Sequence, residues 1–337
     1  MMTRRIFLWL AVFAIPIFGI LLMVFCSSPA AEQTSYLGLN DIEQGFRSGK
    51  CRSCHPAIWR EWERSMHAKA WTDPIYQEAA RAVIDRKKSC DPCHAPEPVL
   101  ITGIGKMPKL RTNDHRSGVS CLTCHVDVNG GMHGPSMNVD AMFHANITSE
   151  VHTKSIELCG TCHGQSTVPV HNQIISFNRS QASEEGKNCA TCHMPRVKRM
   201  QSTLSYERIL GRRHTWIASR SGQMLKKAAE LMIEKRDGKA IIGVKNKSGH
   251  MLPGDGLRTI ILDVKIENSS GQIEYHQRIK HSMKLDSEHT DNRFQPDELR
   301  QFTFNLEPNH SIQVRLLYCL LPTTPESEWV TMAEILQ

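Results

Sequence analysis

Cys51-Arg52-Ser53-Cys54-His55 is the first of five copies of one pattern, Cys-x-x-Cys-His. The others are Cys90-Asp91-Pro92-Cys93-His94, Cys121-Leu122-Thr123-Cys124-His125, Cys159-Gly160-Thr161-Cys162-His163 and Cys189-Ala190-Thr191-Cys192-His193. In this pattern two thiols can add across the two vinyl groups of a porphyrin, and the histidine that follows is placed under the ring to bind its iron. Cysteine pairs alone would also suit zinc or a redox dithiol. Neither use needs a histidine directly after every pair, and in an exported chain ten free thiols would risk scrambled disulfides. The motifs predict five covalently attached haem c groups, with His55, His94, His125, His163 and His193 as proximal iron ligands. Ten of the twelve cysteines are consumed, leaving Cys26 and Cys319.

Working outward, the motif region spans 143 residues, and its first cysteines are spaced by 39, 31, 38 and 30 residues. That is too little protein to build an ordinary core around each cofactor. The porphyrins themselves must form much of the core, close to one another, between thin helices. From Pro56 the spacing of Ile58, Trp62 and Met66, with Trp59 beside them, predicts a helix whose apolar face packs on porphyrin. A second helical stretch runs from Trp71 to Lys88, with Ile75, Ala79, Ala82 and Val83 as its buried side. After Arg199 the pattern changes. Residues 219 to 235 read as one amphipathic helix. Apolar runs at 240–244, 259–266, 302–304 and 312–318, with a hairpin turn at Asn268-Ser269-Ser270-Gly271, then predict an antiparallel β domain. Cys319 lies in an apolar run and reads as a buried small hydrophobe.

At the other end, Arg4 and Arg5 precede an apolar run from Ile6 to Phe25, an export signal with its charges on the cytoplasmic side. Three fates are open: cleavage near Ser28-Pro29-Ala30, retention of residues 6–25 as a membrane anchor, or lipidation at Cys26. All three place the body outside the cytoplasmic membrane, periplasmic or at the cell surface of a bacterium. The formal charge is +7, but five haems at about −1 each bring it to roughly +2. The basic balance is therefore no argument for nucleic acid, and no nucleic-acid motif is present. The run Arg196-Val197-Lys198-Arg199 can still guide an acidic redox partner.

Twelve of the seventeen histidines lie outside the motifs. A carrier haem is closed by a second axial ligand, whereas an enzyme haem leaves that position open. The expected distal ligands are His67, His133, His144, His171 and His214, with His115, His152 and His250 in reserve. Met66, Met132 or Met251 is an alternative at one site. His276, His281, His289 and His310 read as surface residues. His67 lies twelve residues after His55, about 18 Å along a helix, so it would serve a different iron from His55.

Trp62-x-x-Ser65-x-His67-Ala68 after the first motif, Gly118-Val119-Ser120 before the third and Met194-Pro195 after the fifth resemble the bacterial multihaem cytochromes c of the cytochrome c-554 family. The stretches Ser248-Gly249-His250-Met251-Leu252-Pro253-Gly254 and Asp291-Asn292-Arg293-x-x-Pro296 resemble a β domain appended to some of these. The resemblance implies that His67 closes the haem at Cys159, that His133 or His144 closes the one at Cys51, and that His214 closes another. The tetrahaem members leave the iron of the second motif without a distal histidine. Here a fifth haem and a β domain are added, so His115, His152 or His250 is available for the Cys90 haem.

The expected fold is α+β: a haem-packed, mostly helical cytochrome domain followed by a small antiparallel β-sandwich. The domains are residues 1–30 (export signal or anchor), 31–216 (pentahaem domain), 217–238 (helical connector) and 239–337 (β domain). The expected function is passage of single electrons from a membrane quinol-side donor to a periplasmic or extracellular acceptor, through redox protein partners. Oligomers are compatible with the sequence. The alternative is an oxidoreductase acting on a small nitrogen or sulfur species at one open haem, aided by Arg212 and Arg213 or by Lys87 and Lys88. A third reading, compatible with both, makes the β domain a docking module.

Overall fold

Each motif sits on a short helix: Lys50–Cys54 with His55 as its C-cap, Asp91–His94, Cys121–His125, Ile156–His163 and Cys189–His193. One helical turn sets the first cysteine and the histidine, four residues apart, on the same face. The motif threonines help start two of these helices. Ser120 N–H donates to Thr123 Oγ1 at 3.2 Å, and Asn188 N–H donates to Thr191 Oγ1 at 3.1 Å. The computed structural model describes residues 37–135, 143–165, 173–254, 257–283 and 291–337. Among them no helix is long and apolar enough to cross a membrane. The apolar run 6–25, Cys26, Ser28-Pro29-Ala30, His171 and His289 lie outside the described residues.

Residues 37–216 gather little core of their own. Helices Leu39–Arg47 and Pro56–Arg64 meet through Ile42, Phe46 and Trp62, which pack on Leu122 and Val126 of the third motif. The Trp59 and Trp62 rings lie 4.8 Å apart and each packs near Phe46 of the neighbouring helix. That helix ends at Arg64, and Ser65 turns extended, so His67 stands in the turn after it rather than on it. The second expected helix is shorter, Pro74–Arg81, and is rotated from the expected face. It buries Tyr76 and Ala80, while Ala82 and Val83 are exposed, because Tyr76 packs on His94.

In the cytochrome part β1 (Met132–Gly134) pairs in parallel with β2 (Asn146–Thr148), and β3 (Arg196–Arg199) pairs antiparallel with β4 (Ile209–Arg212). The C-terminal part is a β-sandwich. One sheet has the order β5-β6-β9, from Ala229–Arg236, Lys239–Asn246 and Leu299–Asn305. The other has the order β11-β10-β7-β8, from Val330–Leu336, Ser311–Cys319, Thr259–Glu267 and Ile273–Ser282. All pairings in both sheets are antiparallel. Ile260, Leu262, Val264 and Ile266 of β7 interleave with Ile312, Val314, Leu316 and Tyr318 of β10 and with Ala240, Ile242 and Val244 of β6 in one core. Burying each such branched side chain favours the fold by about 1.5–3 kcal/mol. Cys319 is 2% exposed at the end of β10 and donates its thiol hydrogen to Leu321 O.

The helical connector expected at 217–238 is corrected. Only Gly222–Ala228 is helical, and the chain then enters β5. Ala229 and Leu231 point inward while Glu230 is exposed, a period of two, and β6 pairs along its whole length. The surface reading of His281 is also overturned. It is 2% exposed, its ring stands 4.4 Å from Phe294, and its Nδ1 bonds Asn292 O.

Asp263, with a side chain 1% exposed on β7, accepts bonds from His276, Arg278 and Arg315. Burial alone would raise its carboxyl, but these three donors outweigh it and hold it at about 2. Asp263→Ala is expected to cost about 3 kcal/mol, the low end for a broken buried pair, because the arginines stay partly hydrated. The depressed carboxyl stabilises fully above an unfolded value of about 4 and loses that contribution as pH falls toward 2. Chemical denaturation of both proteins at neutral pH and at about pH 2 checks this: the gap between them must close in acid.

Candidate haem sites

The proximal side is built first. His55 Nδ1 bonds Gln201 O at 2.7 Å, His94 Nδ1 bonds Ala70 O at 2.7 Å, His125 Nδ1 bonds His133 O at 2.6 Å, and His193 Nδ1 bonds Ile217 O at 2.6 Å. A backbone carbonyl accepts only, so each Nδ1 carries the hydrogen and each Nε2 keeps its lone pair for a metal. No disulfide forms among the described cysteines.

With each nitrogen about 2 Å from a metal, two imidazoles on opposite sides of one iron have ring centres about 6 Å apart. Four motif histidines meet such a partner. His55 and His144 are 6.3 Å apart, His163 and His67 6.3 Å, His125 and His214 6.2 Å, and His193 and His250 6.3 Å. Burial pushes His67 down to about 3 and His214 to about 4, and neighbouring imidazoles add to it. Burial also lowers His144. These rings are neutral donors at ordinary pH, the form that binds iron. Ring spacing, nitrogen roles and neutrality all fit haem c.

The other expected ligands are placed elsewhere. His133 turns its Nε2 to Asp127 Oδ2 at 2.9 Å, and its carbonyl holds His125. His152 stacks on His125 at 4.9 Å, too close for a metal between them, with its Nε2 on Cys124 O at 2.9 Å. His115 bonds Arg111 O and packs 4.6 Å from Trp71. His94 has an aromatic ring stacked on it. The ring on it is Tyr76, with centroids 3.5 Å apart and planes 9° from parallel. That contact was missed in the sequence, where nothing marks a tyrosine fourteen residues before the motif. Of the basic residues named for substrate, Arg212 donates to Ala190 O and Met194 O around the fifth motif, and Lys87 and Lys88 are exposed.

The turn holding His67 depends on Gly118. It has φ +56°, and a Cβ there would stand 2.5 Å from His67 O and 2.7 Å from Ala68 O. Gly118→Ala must therefore displace backbone at this turn. Its expected result is a destabilisation of about 2 kcal/mol and a change in the optical spectrum at the site His67 faces, both read in one thermal melt followed by haem absorbance.

Covalent attachment motifs with paired imidazoles define a multihaem c-type cytochrome. Residues 50–126, which contain the first three motifs, match the family model described as cytochrome c554 and c-prime. The stretch carrying the first three motifs is thus similar to this family. No curated protein matches the chain. Its fold is similar to the crystal structure of a penta-heme cytochrome c552 from Thermochromatium tepidum, with TM-score 0.63 and 18% identity over 86% of this chain and 98% of that one. An endonuclease/exonuclease/phosphatase from Beutenbergia cavernae aligns with TM-score 0.19 and 13% identity over 33% of this chain and 23% of that one, and carries no argument.

Proposed function

We propose that the chain is an exported electron carrier holding five haem c groups, and that it passes single electrons from a membrane-side donor to a periplasmic or extracellular acceptor. When bound, the haems supply one-electron redox centres; the protein supplies axial ligation, positioning and exclusion of water. The four imidazole pairs at 6.2–6.3 Å carry this reading, since a site closed on both sides takes up no substrate. In it His144 closes the first site, His214 the third, His67 the fourth and His250 the fifth. The thiols add a wiring order. Cys159 lies against Cys189 and Cys162 against Cys93, with Cys124 near both, so the fourth site adjoins the second, third and fifth. For partner recognition Arg196 and Lys198 are exposed, whereas Arg199 turns inward to Glu61 at 2.6 Å.

The second reading is an oxidoreductase acting on a small nitrogen or sulfur species at one open haem. Optical and EPR titration of the holoprotein with CO and nitric oxide tests both. The expected result is low-spin signals and no ligand uptake at the four paired sites. Uptake at three or more irons would overturn the carrier reading. If an iron takes up ligand and also turns over nitrite or hydroxylamine, the enzyme reading moves ahead.

A further inference from the structure

The second motif differs from the other four in its proximal surroundings. Its first intervening residue is Asp91, where the others have Arg52, Leu122, Gly160 and Ala190. Asp91 is 3% exposed, and Tyr76 is 8% exposed. The Tyr76 hydroxyl donates to Asp91 Oδ1, and the same oxygen accepts from Arg86 Nε at 3.0 Å and Nη2 at 2.9 Å. The Arg86 guanidinium also lies 5.7 Å from the ring centres of Tyr76 and Trp71, which closes the assembly from outside. The phenol ring so held lies flat on His94, at 3.5 Å and 9°. Among the described residues no other motif histidine has a phenol or indole stacked on it in this way.

An imidazole bound through Nε2 can still rotate about its bond to the metal. At His94 two contacts stop that rotation: the Nδ1–H bond to Ala70 O fixes one edge, and the Tyr76 face fixes the plane. The stack also has an electronic sense. A phenol donating to a carboxylate has a more electron-rich ring, and such a ring on an imidazole makes it a stronger donor. A stronger donor favours the oxidised iron.

We propose that Tyr76, tied to Asp91 and Arg86, is a positioning residue that sets the plane and donor strength of His94 and thereby lowers the potential of the second iron. This rests on the reading that the second motif holds a haem.

The test uses the holoprotein and the variants Tyr76→Phe, Tyr76→Leu and Asp91→Asn. Each is followed by redox titration and by EPR, with the second iron assigned as the signal lost in a Cys90→Ala/Cys93→Ala protein. Tyr76→Leu is expected to change the line shape of that signal and raise its potential. Tyr76→Phe keeps the ring, so the line shape stays and the potential rises by a smaller step. Asp91→Asn should behave as Tyr76→Phe does. Superimposable signals and potentials across the series would overturn the proposal, and so would an equal shift at every iron. If Tyr76→Leu fails to fold, the other two decide, since both retain the packing. If no signal is lost in the Cys90→Ala/Cys93→Ala protein, the second motif holds no haem and the proposal falls with that reading; a signal lost there but unmoved across the series overturns the proposal alone, so the two failures are separable.

Discussion

Replacing His250 with alanine is expected to open one further iron per chain to CO and to exchange one low-spin EPR signal for a high-spin one. The effect is large because the β-sandwich holds this histidine rigidly against the cytochrome part. His250 follows β6 in a turn organised by Asn246, which is fully buried. Asn246 Nδ2 donates to His250 O at 2.7 Å and Gln295 O at 2.9 Å, and its Oδ1 accepts from Ser248 N at 2.9 Å and Ser248 Oγ at 2.7 Å. Gly249 comes close to Ala182, and Met251 N donates to Ser176 Oγ at 3.3 Å, so the turn is seated on the segment before the fifth motif. The His250 ring then stands 6.3 Å from His193, with planes 13° apart. The side chain is not part of the Asn246 network, so His250→Ala should leave the melting of the sandwich within a few degrees of wild type, about 0.5 kcal/mol. An unchanged CO stoichiometry would sink the assignment. A sandwich that supplies an axial ligand is more than a docking module, and cutting the chain near Gly238 would then open the fifth site as well as remove any partner surface.

The Cys-x-x-Cys-His repeats were legible because covalent attachment needs fixed chemistry at fixed spacing. The β domain was legible because β7 and β10 run nearly continuously apolar at 259–266 and 312–318. What the sequence hid is pairing at a distance. His67, His144 and His214 were singled out, but nothing local distinguishes His144 from His133, which lies eleven residues earlier and spends its Nε2 on Asp127. His250 stood only in reserve, because its partner His193 is brought to it by packing of one domain on another. The helix expected over 219–235 failed for a different reason. Leu231 fits a period of 3.6 with Met224 and Ala228 as well as a period of two with Ala229, and pairing with β6 decided between them. Tyr76 was invisible because its role depends on a stack with His94 and a bond to Asp91, neither of which leaves a spacing rule.

His67→Ala should have the widest consequences of any single ligand change, because of where the fourth site lies. Its thiols adjoin those of the second and fifth motifs, with Cys124 of the third close by. Current between the remaining sites has few ways around it. His67 faces His163 at 6.3 Å and is braced by Trp216, 4.5 Å away edge to face. Loss of its imidazole leaves one more iron open to CO and raises the potential of the central site. A shift worth about 1.4 kcal/mol is enough to slow transfer about tenfold. In stopped-flow reduction from one end of the chain, single-phase filling should split into a fast phase and a phase at least about tenfold slower, while dithionite still reduces every site in the end. The control is His152→Ala. His152 is half-buried and also stacks on a motif histidine, and burial holds it at about 4. At 4.9 Å from His125, with its Nε2 on Cys124 O, it has no room to share a metal, so its removal should open no iron and leave filling single-phase. If the two variants behave alike, ring spacing is not the property that separates ligand from packing histidine in this protein, and the remaining three pairs lose their support with it.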